Sequence, residues 1–145
     1  MHPFPHTYRV RATGAGTGHV KIEHEGVAPI LSAPPVEFDG PGDAWSPEGL
    51  LVAAVADCFI LTFRAVARAA KLEWSSLEVK VAGVLDRENG VTAFVGFDVT
   101  AYLRVAPGTD PEQAELALHR AERGCLVSNS LKAAVRLQPH VDFAR

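Results

Sequence analysis

The chain has 145 residues, of which 48% are apolar and 21% charged, with a formal net charge of −3 and a pI near 6.0. That balance fits one soluble globular domain, residues 1–145, long enough to bury its own core, and excludes a disordered or low-complexity chain. A slightly acidic chain has no electrostatic reason to bind nucleic acid or an anionic membrane surface.

The first third reads as strands. MHPFPHTYRV has neither the basic start nor the apolar core of a signal peptide, so the expected location is the cytoplasm. Tyr8 to Thr13 alternates, GAGTG at Gly14 to Gly18 turns the chain, and His19 to Glu25 alternates again. Glu25-Gly26 then turns it into Val27 to Ser32. Ala33 to Ala44 is rich in proline and glycine and is expected as a surface loop.

Ser46-Pro47-Glu48 is a helix start: a capping hydroxyl, a proline at the first helical position and an acid at the positive end of the dipole. The spacing predicts a helix to about Ala70. Leu50 to Phe63 is apolar almost all round, which predicts burial on most sides. The run contains Asp57 and is too short to span a bilayer, so no membrane is expected. A domain of this size covers such a helix most simply against a second copy of itself.

Leu77 to Arg87, Asn89-Gly90 and Val91 to Val105 predict a long hairpin, with Leu77, Val79, Val81 and Leu85 on one face. Phe97, Val99, Ala101, Leu103 and Val105 share a face of the second strand. Asp110-Pro111-Glu112 opens a second helix ending near Gly124. Cys125 to Ala134 predicts a short third helix, and Val135 to Phe143 a last strand. The order β-β-β-α-β-β-α-α-β is that of an α+β fold.

Two cysteines carry the candidate chemistry. In the cytoplasm such thiols are more often redox-active or metal-binding than structural. If Cys58 and Cys125 meet in space, one can attack an oxidant and the other close a disulfide. Cys58 shares a helix face with Leu51 and Ala54, a position equally suited to a buried thiol acting as a small hydrophobe. Cys125 follows Gly124 at a helix start, where backbone amides stabilise a thiolate. Glu48 precedes Cys58 by a rise of about 15 Å and an angular offset of roughly 80°. Contact within one helix is therefore excluded, but Glu48 of one chain can approach Cys58 of another across a two-fold axis. Its simpler role is a first-turn charge facing the dipole. The histidines show no metal-ligand spacing with the cysteines, and GAGTG does not open a helix, so neither a metal nor a phosphate-binding loop is expected. Ser128, Asn129 and Ser130 are expected in capping or turn roles.

SPEGLLVAAVADCF, LTFRAVA and AERGCLVSNSL together resemble the OsmC/Ohr family of osmotically induced and organic-hydroperoxide-resistance proteins, on its OsmC-like branch. The resemblance implies antiparallel sheets around a long buried central helix, in an intertwined homodimer with its sites at the subunit interface. It implies a thiol peroxidase acting on organic or lipid hydroperoxides, reduced by an external dithiol and needing no cofactor. Cys58 is then the peroxidatic thiol, Cys125 the resolving thiol and Glu48 the acid that orients the site. The family's N-terminal arginine has no counterpart in GAGTGHVKIE or PPVEFDGPGD, which leaves Arg11 as the candidate cation. The other reading is a non-enzymatic dimer of the same fold that binds a small apolar ligand, with inert or redox-sensing thiols.

Overall fold

The computed structural model describes residues 1–145 and contains two compact units, Met1–Leu51 and Val52–Arg145. Each is taken by itself.

The first unit holds a three-stranded antiparallel sheet of β1 (Arg11–Thr13), β2 (Val20–Glu23) and β3 (Ile30–Ser32), in that order. Arg11 sits opposite Glu23 and Ile22 opposite Ile30. The strands are shorter than the alternation predicts, since ladder pairing ends where each neighbour turns away. The proline-rich loop carries one 3-10 turn at Val36–Phe38, and Gly40 passes so close to Pro34 that a side chain there would collide with its carbonyl oxygen. Only Ser32 and Ala33 are buried in this unit, while Phe4, Tyr8, Val10, Ile30, Leu31 and Trp45 are exposed.

Helix α1 spans Pro47–Ala69. Its start follows the expectation: the Ser46 hydroxyl accepts from the Gly49 amide at 3.0 Å, and Pro47 opens the first turn. Two expectations need correction. The helix has 23 residues and a mean hydropathy of 2.0, so by length and composition it is long enough to cross a membrane, although its uninterrupted apolar run is not. Within the chain it is buried along one stripe, Val55, Phe59, Phe63 and Ala67, rather than on most sides. Leu61 remains 52% exposed.

The second unit is built on β4 (Trp74–Glu88) and β5 (Val91–Val105), joined through Asn89 and Gly90, both at positive φ. These are the residue types a two-residue hairpin turn needs. Leu77 faces Leu103 and Val81 faces Val99. Phe97, Val99, Ala101, Leu103 and Val105 are all buried, as the alternation predicts. Helix α2 (Pro111–Gly124) is capped by Asp110, whose carboxylate accepts from the Glu112 amide at 3.0 Å. It buries Ala114, Ala117, Leu118 and Ala121. Helix α3 (Leu126–Asn129) is one turn, shorter than the stretch to Ala134 expected for it.

Strand β6 (Ala134–Phe143) pairs parallel to β5, so this sheet, ordered β4-β5-β6, is mixed rather than wholly antiparallel. The reason is the connection: α2 and α3 carry the chain back to the end where β5 began, and a strand entering there runs alongside β5. On the inner face Phe63 stacks edge-on to Trp74 with ring centroids 5.2 Å apart. Gly83 lies under Val52, where a Cβ would be 2.8 Å from its Cγ2. Helix α1 is thereby seated on the β4–β5 face.

Candidate active site

Both cysteines are free thiols, Cys58 half-buried and Cys125 buried. Cys58 lies midway along α1, between the buried Val55 and Phe59. Cys125 stands at the junction of α2 and α3, where its amide donates to the Glu122 carbonyl and its own carbonyl accepts from the Asn129 amide at 3.0 Å. These bonds fix the turn that follows Gly124. The bare Cα of Gly124 allows that turn to close on α1: a Cβ there would lie 3.3 Å from Thr62 Cγ2. The two thiols are thus brought close enough for each to shift the other's ionisation.

The two sulfurs have opposite acidities. Burial pushes the Cys58 thiol up, but the Val127 amide, the Cys125 thiol, the Thr62 hydroxyl and the Leu126 amide all donate to it and together hold it below the ordinary thiol value. The Thr62 hydroxyl is 3.8 Å from the sulfur. For Cys125, burial again raises the pKa. The hydroxyl and amide of Ser128 offset part of that, while the bond to Cys58 and the charge on its sulfur add to the rise. The Ser128 hydroxyl donates to Cys125 Sγ at 3.3 Å.

This corrects one expectation. The amides after Cys125 are expected to favour a Cys125 thiolate; the Ser128 amide does so, but burial outweighs it, and the Val127 and Leu126 amides lower Cys58 instead. Cys125 caps the turn, and its own sulfur lies in the fully buried position with no share in those two donors. Of the three polar residues that follow, Asn129 and Ser130 bond the Arg123 and Leu126 carbonyls, which is turn duty as expected, but Ser128 serves the Cys125 sulfur.

Glu48 lies in the first turn of α1, and its Oε2 is buried with no hydrogen-bond partner in the chain. Arg11 does not supply that partner. Its guanidinium bonds Glu23 at 2.8 Å from an exposed position on β1 and, with Lys21, holds the Glu23 carboxyl below its usual range. Thr62 was not apparent as a site residue from composition or motif. The signal for it is its spacing, one helical turn beyond Cys58 on the same face.

The arrangement can perform two-electron thiol chemistry. A half-exposed sulfur held toward the thiolate is a nucleophile, and a protonated thiol beside it can close a disulfide once the first is oxidised.

The family model for OsmC-like protein matches residues 40–140. A Xanthomonas axonopodis pv. citri organic hydroperoxide resistance protein is 30% identical over 132 residues, covering 90% of this chain and 89% of that protein. The uncharacterized protein YmaD of Bacillus subtilis is 30% identical over 109 residues, covering 72% of this chain and 71% of its own. Among solved structures, an OsmC-like protein of unknown function from Vibrio cholerae superposes with a TM-score of 0.85 at 18% identity, over 93% of this chain and 99% of that one. The organic hydroperoxide resistance protein OsmC from Legionella pneumophila superposes with a TM-score of 0.76 at 26% identity, over 97% of this chain and 99% of its own.

Proposed function

The chain belongs to the OsmC-like protein family, and from that premise we propose that it is a cysteine-based peroxidase that reduces organic or lipid hydroperoxides in antioxidant defence. The observation that carries this reading is a pair of free thiols, Cys58 half-buried on α1 and Cys125 buried on the turn that closes on α1 at Thr62, with the first lowered in pKa and the second raised. Peroxidase chemistry needs one thiol ionised to attack and a second in reserve. The kinship with organic hydroperoxide resistance proteins at 30% identity supports the substrate class.

In the first step a Cys58 thiolate electron pair attacks the terminal hydroxyl oxygen of the hydroperoxide. The O–O bond breaks, Cys58 becomes a sulfenic acid, and the departing alkoxide takes a proton and leaves as the alcohol. In the second, the Cys125 sulfur attacks the Cys58 sulfenic sulfur, the S–S bond forms, and the hydroxyl leaves as water with the Cys125 proton. An external dithiol then reduces the disulfide by exchange and is itself oxidised. The apolar surface of α1 favours alkyl-bearing peroxides.

The site is completed in a homodimer. The unburied apolar side of α1 and the exposed apolar residues of the β1–β3 unit support a second copy as what covers them. A membrane is the poorer cover for α1, because Asp57 and Arg64 are exposed along it and charges at the bilayer centre cost about 2.5–3.5 kcal/mol each. Glu48 acts as the orienting acid, its Oε2 buried and unpartnered within the chain. Arg11 is the candidate cation carried by the resemblance. Residues 1–145 act as one domain in the cytoplasm.

The test is a count of free thiols before and after one equivalent of cumene hydroperoxide. Rapid loss of two thiols per chain supports the peroxidase. No loss favours the non-enzymatic dimer that binds an apolar ligand.

A further inference from the structure

We infer that Thr62 is a further catalytic residue of the Cys58 site: its hydroxyl holds the reacting sulfur, and its methyl group sets the approach of the Cys125 turn. This rests on reading Cys58 as the thiol that attacks peroxide. Thr62 Oγ1 stands 3.8 Å from Cys58 Sγ, one helical turn further along α1. While Cys58 is a thiol, either atom can donate. Once the thiol has lost its proton, only the Thr62 hydroxyl has a hydrogen to give, and the bond becomes charge-assisted. The contact therefore strengthens on ionisation and favours the attacking form.

The other branch of the side chain faces Gly124, the residue before the second cysteine. A Cβ on Gly124 would lie 3.3 Å from Thr62 Cγ2, so the methyl rests against the bare backbone that precedes Cys125. A β-branched residue is stiff about its first side-chain torsion, so hydroxyl and methyl are held in place together. Cys125 is buried at the end of this contact, and its sulfur takes a separate hydroxyl, that of Ser128 at 3.3 Å. Each sulfur thus has its own hydroxyl donor, and Thr62 also packs beside Gly124, the residue before Cys125.

The two prongs can be removed separately. Thr62→Val keeps the methyl and removes the hydroxyl; Thr62→Ser does the reverse. The full-length variants are compared with the parent in two assays: alkylation of Cys58 by iodoacetamide across pH, resolved by peptide mass, and oxidation by cumene hydroperoxide in stopped flow. Thr62→Val should oxidise about tenfold more slowly at neutral pH, with the gap closing as pH rises, and its alkylation midpoint should move upward. Thr62→Ser keeps a hydroxyl donor, so its midpoint and first-step rate should shift less than those of Thr62→Val, while its disulfide closes more slowly. An unmoved midpoint in Thr62→Val overturns the hydroxyl role, as does an equal shift in both variants, which would mean a loosened site. Unchanged disulfide closure in Thr62→Ser overturns the methyl role. If the midpoint moves as expected while the parent consumes no peroxide, the hold on the thiolate stands and the peroxidase reading fails.

Discussion

The Ser128 hydroxyl donates to the Cys125 sulfur across 3.3 Å, so the buried thiol carries its own donor. A donor to a protonated thiol does little for it. The same donor to a sulfur that is losing its proton stabilises the charge that develops. Ser128 is therefore placed to assist the proposed second step, in which Cys125 would attack the oxidised Cys58.

Ser128→Ala should leave the first oxidation near the parent rate and slow disulfide closure, by about tenfold. The sulfenic acid on Cys58 would then persist and be captured by dimedone, read by mass after rapid quench. Equal rates of closure in parent and variant would show that the Ser128 bond is structural.

The cysteines themselves should behave asymmetrically. Cys58→Ser is expected to abolish peroxide consumption, since a hydroxyl is not ionised near neutral pH. Cys125→Ser is expected to allow one turnover and then stall at the sulfenic acid. Serine also keeps a donor beside Cys58, so the first step should survive the exchange. Loss of the first oxidation in Cys125→Ser would reverse the two roles.

The pH dependence follows from the direction of the Cys58 shift. Its thiol is held below the ordinary value by the Val127, Cys125, Thr62 and Leu126 donors acting against burial. Peroxide consumption should therefore fall as pH drops through a midpoint lower than that of an ordinary cysteine. Cys125 is shifted up, chiefly by burial, and should remain protonated across that range. Site-resolved alkylation against pH separates the two midpoints, and Cys125 ionising before Cys58 would contradict this assignment.

Elements set by local signals were legible in the sequence. Ser46-Pro47, Asp110-Pro111 and Asn89-Gly90 mark the helix starts and the hairpin turn where the structure has them. Each is a choice made by neighbouring backbone atoms, so a few residues decide it. The parallel entry of β6 was not legible, because a strand's direction depends on the whole connection before it. Nor was the one-sided burial of α1, since composition reports how apolar a face is and not what stands against it. At the site, the motifs pointed to Cys58 and Cys125, but which sulfur takes the Leu126 and Val127 amides is a matter of packing between α1 and the turn after Gly124.

Two substitutions on α1 separate core from interface. Phe63 is fully buried and edge-stacked on Trp74, so Phe63→Ala should cost about 3–5 kcal/mol of stability in denaturant unfolding. Leu61 is 52% exposed, so Leu61→Glu should cost the single chain little and instead shift a homodimer toward monomer, read by light scattering at micromolar concentration. A parent protein that is monomeric at that concentration would remove the shared site altogether.

The last prediction concerns Arg11. A half-buried thiolate is often stabilised by a cation, and Arg11 is the candidate the family resemblance leaves. In this chain its guanidinium is bound to Glu23 at 2.8 Å, with 78% of its side chain exposed. The donors that lower Cys58 are neutral: two amides, a hydroxyl and a thiol. Arg11→Ala should therefore leave the rate of Cys58 oxidation and its pH midpoint within about twofold of the parent, since an exposed ion pair contributes roughly 0.2–1 kcal/mol. Added salt should have equally little effect on the first step, because neutral donors at short range are not screened. A large loss at neutral pH, recovered as pH rises, would instead identify Arg11 as the cation that ionises Cys58. It would then have to leave Glu23 to reach the sulfur, and Glu23→Gln should raise the oxidation rate by freeing it.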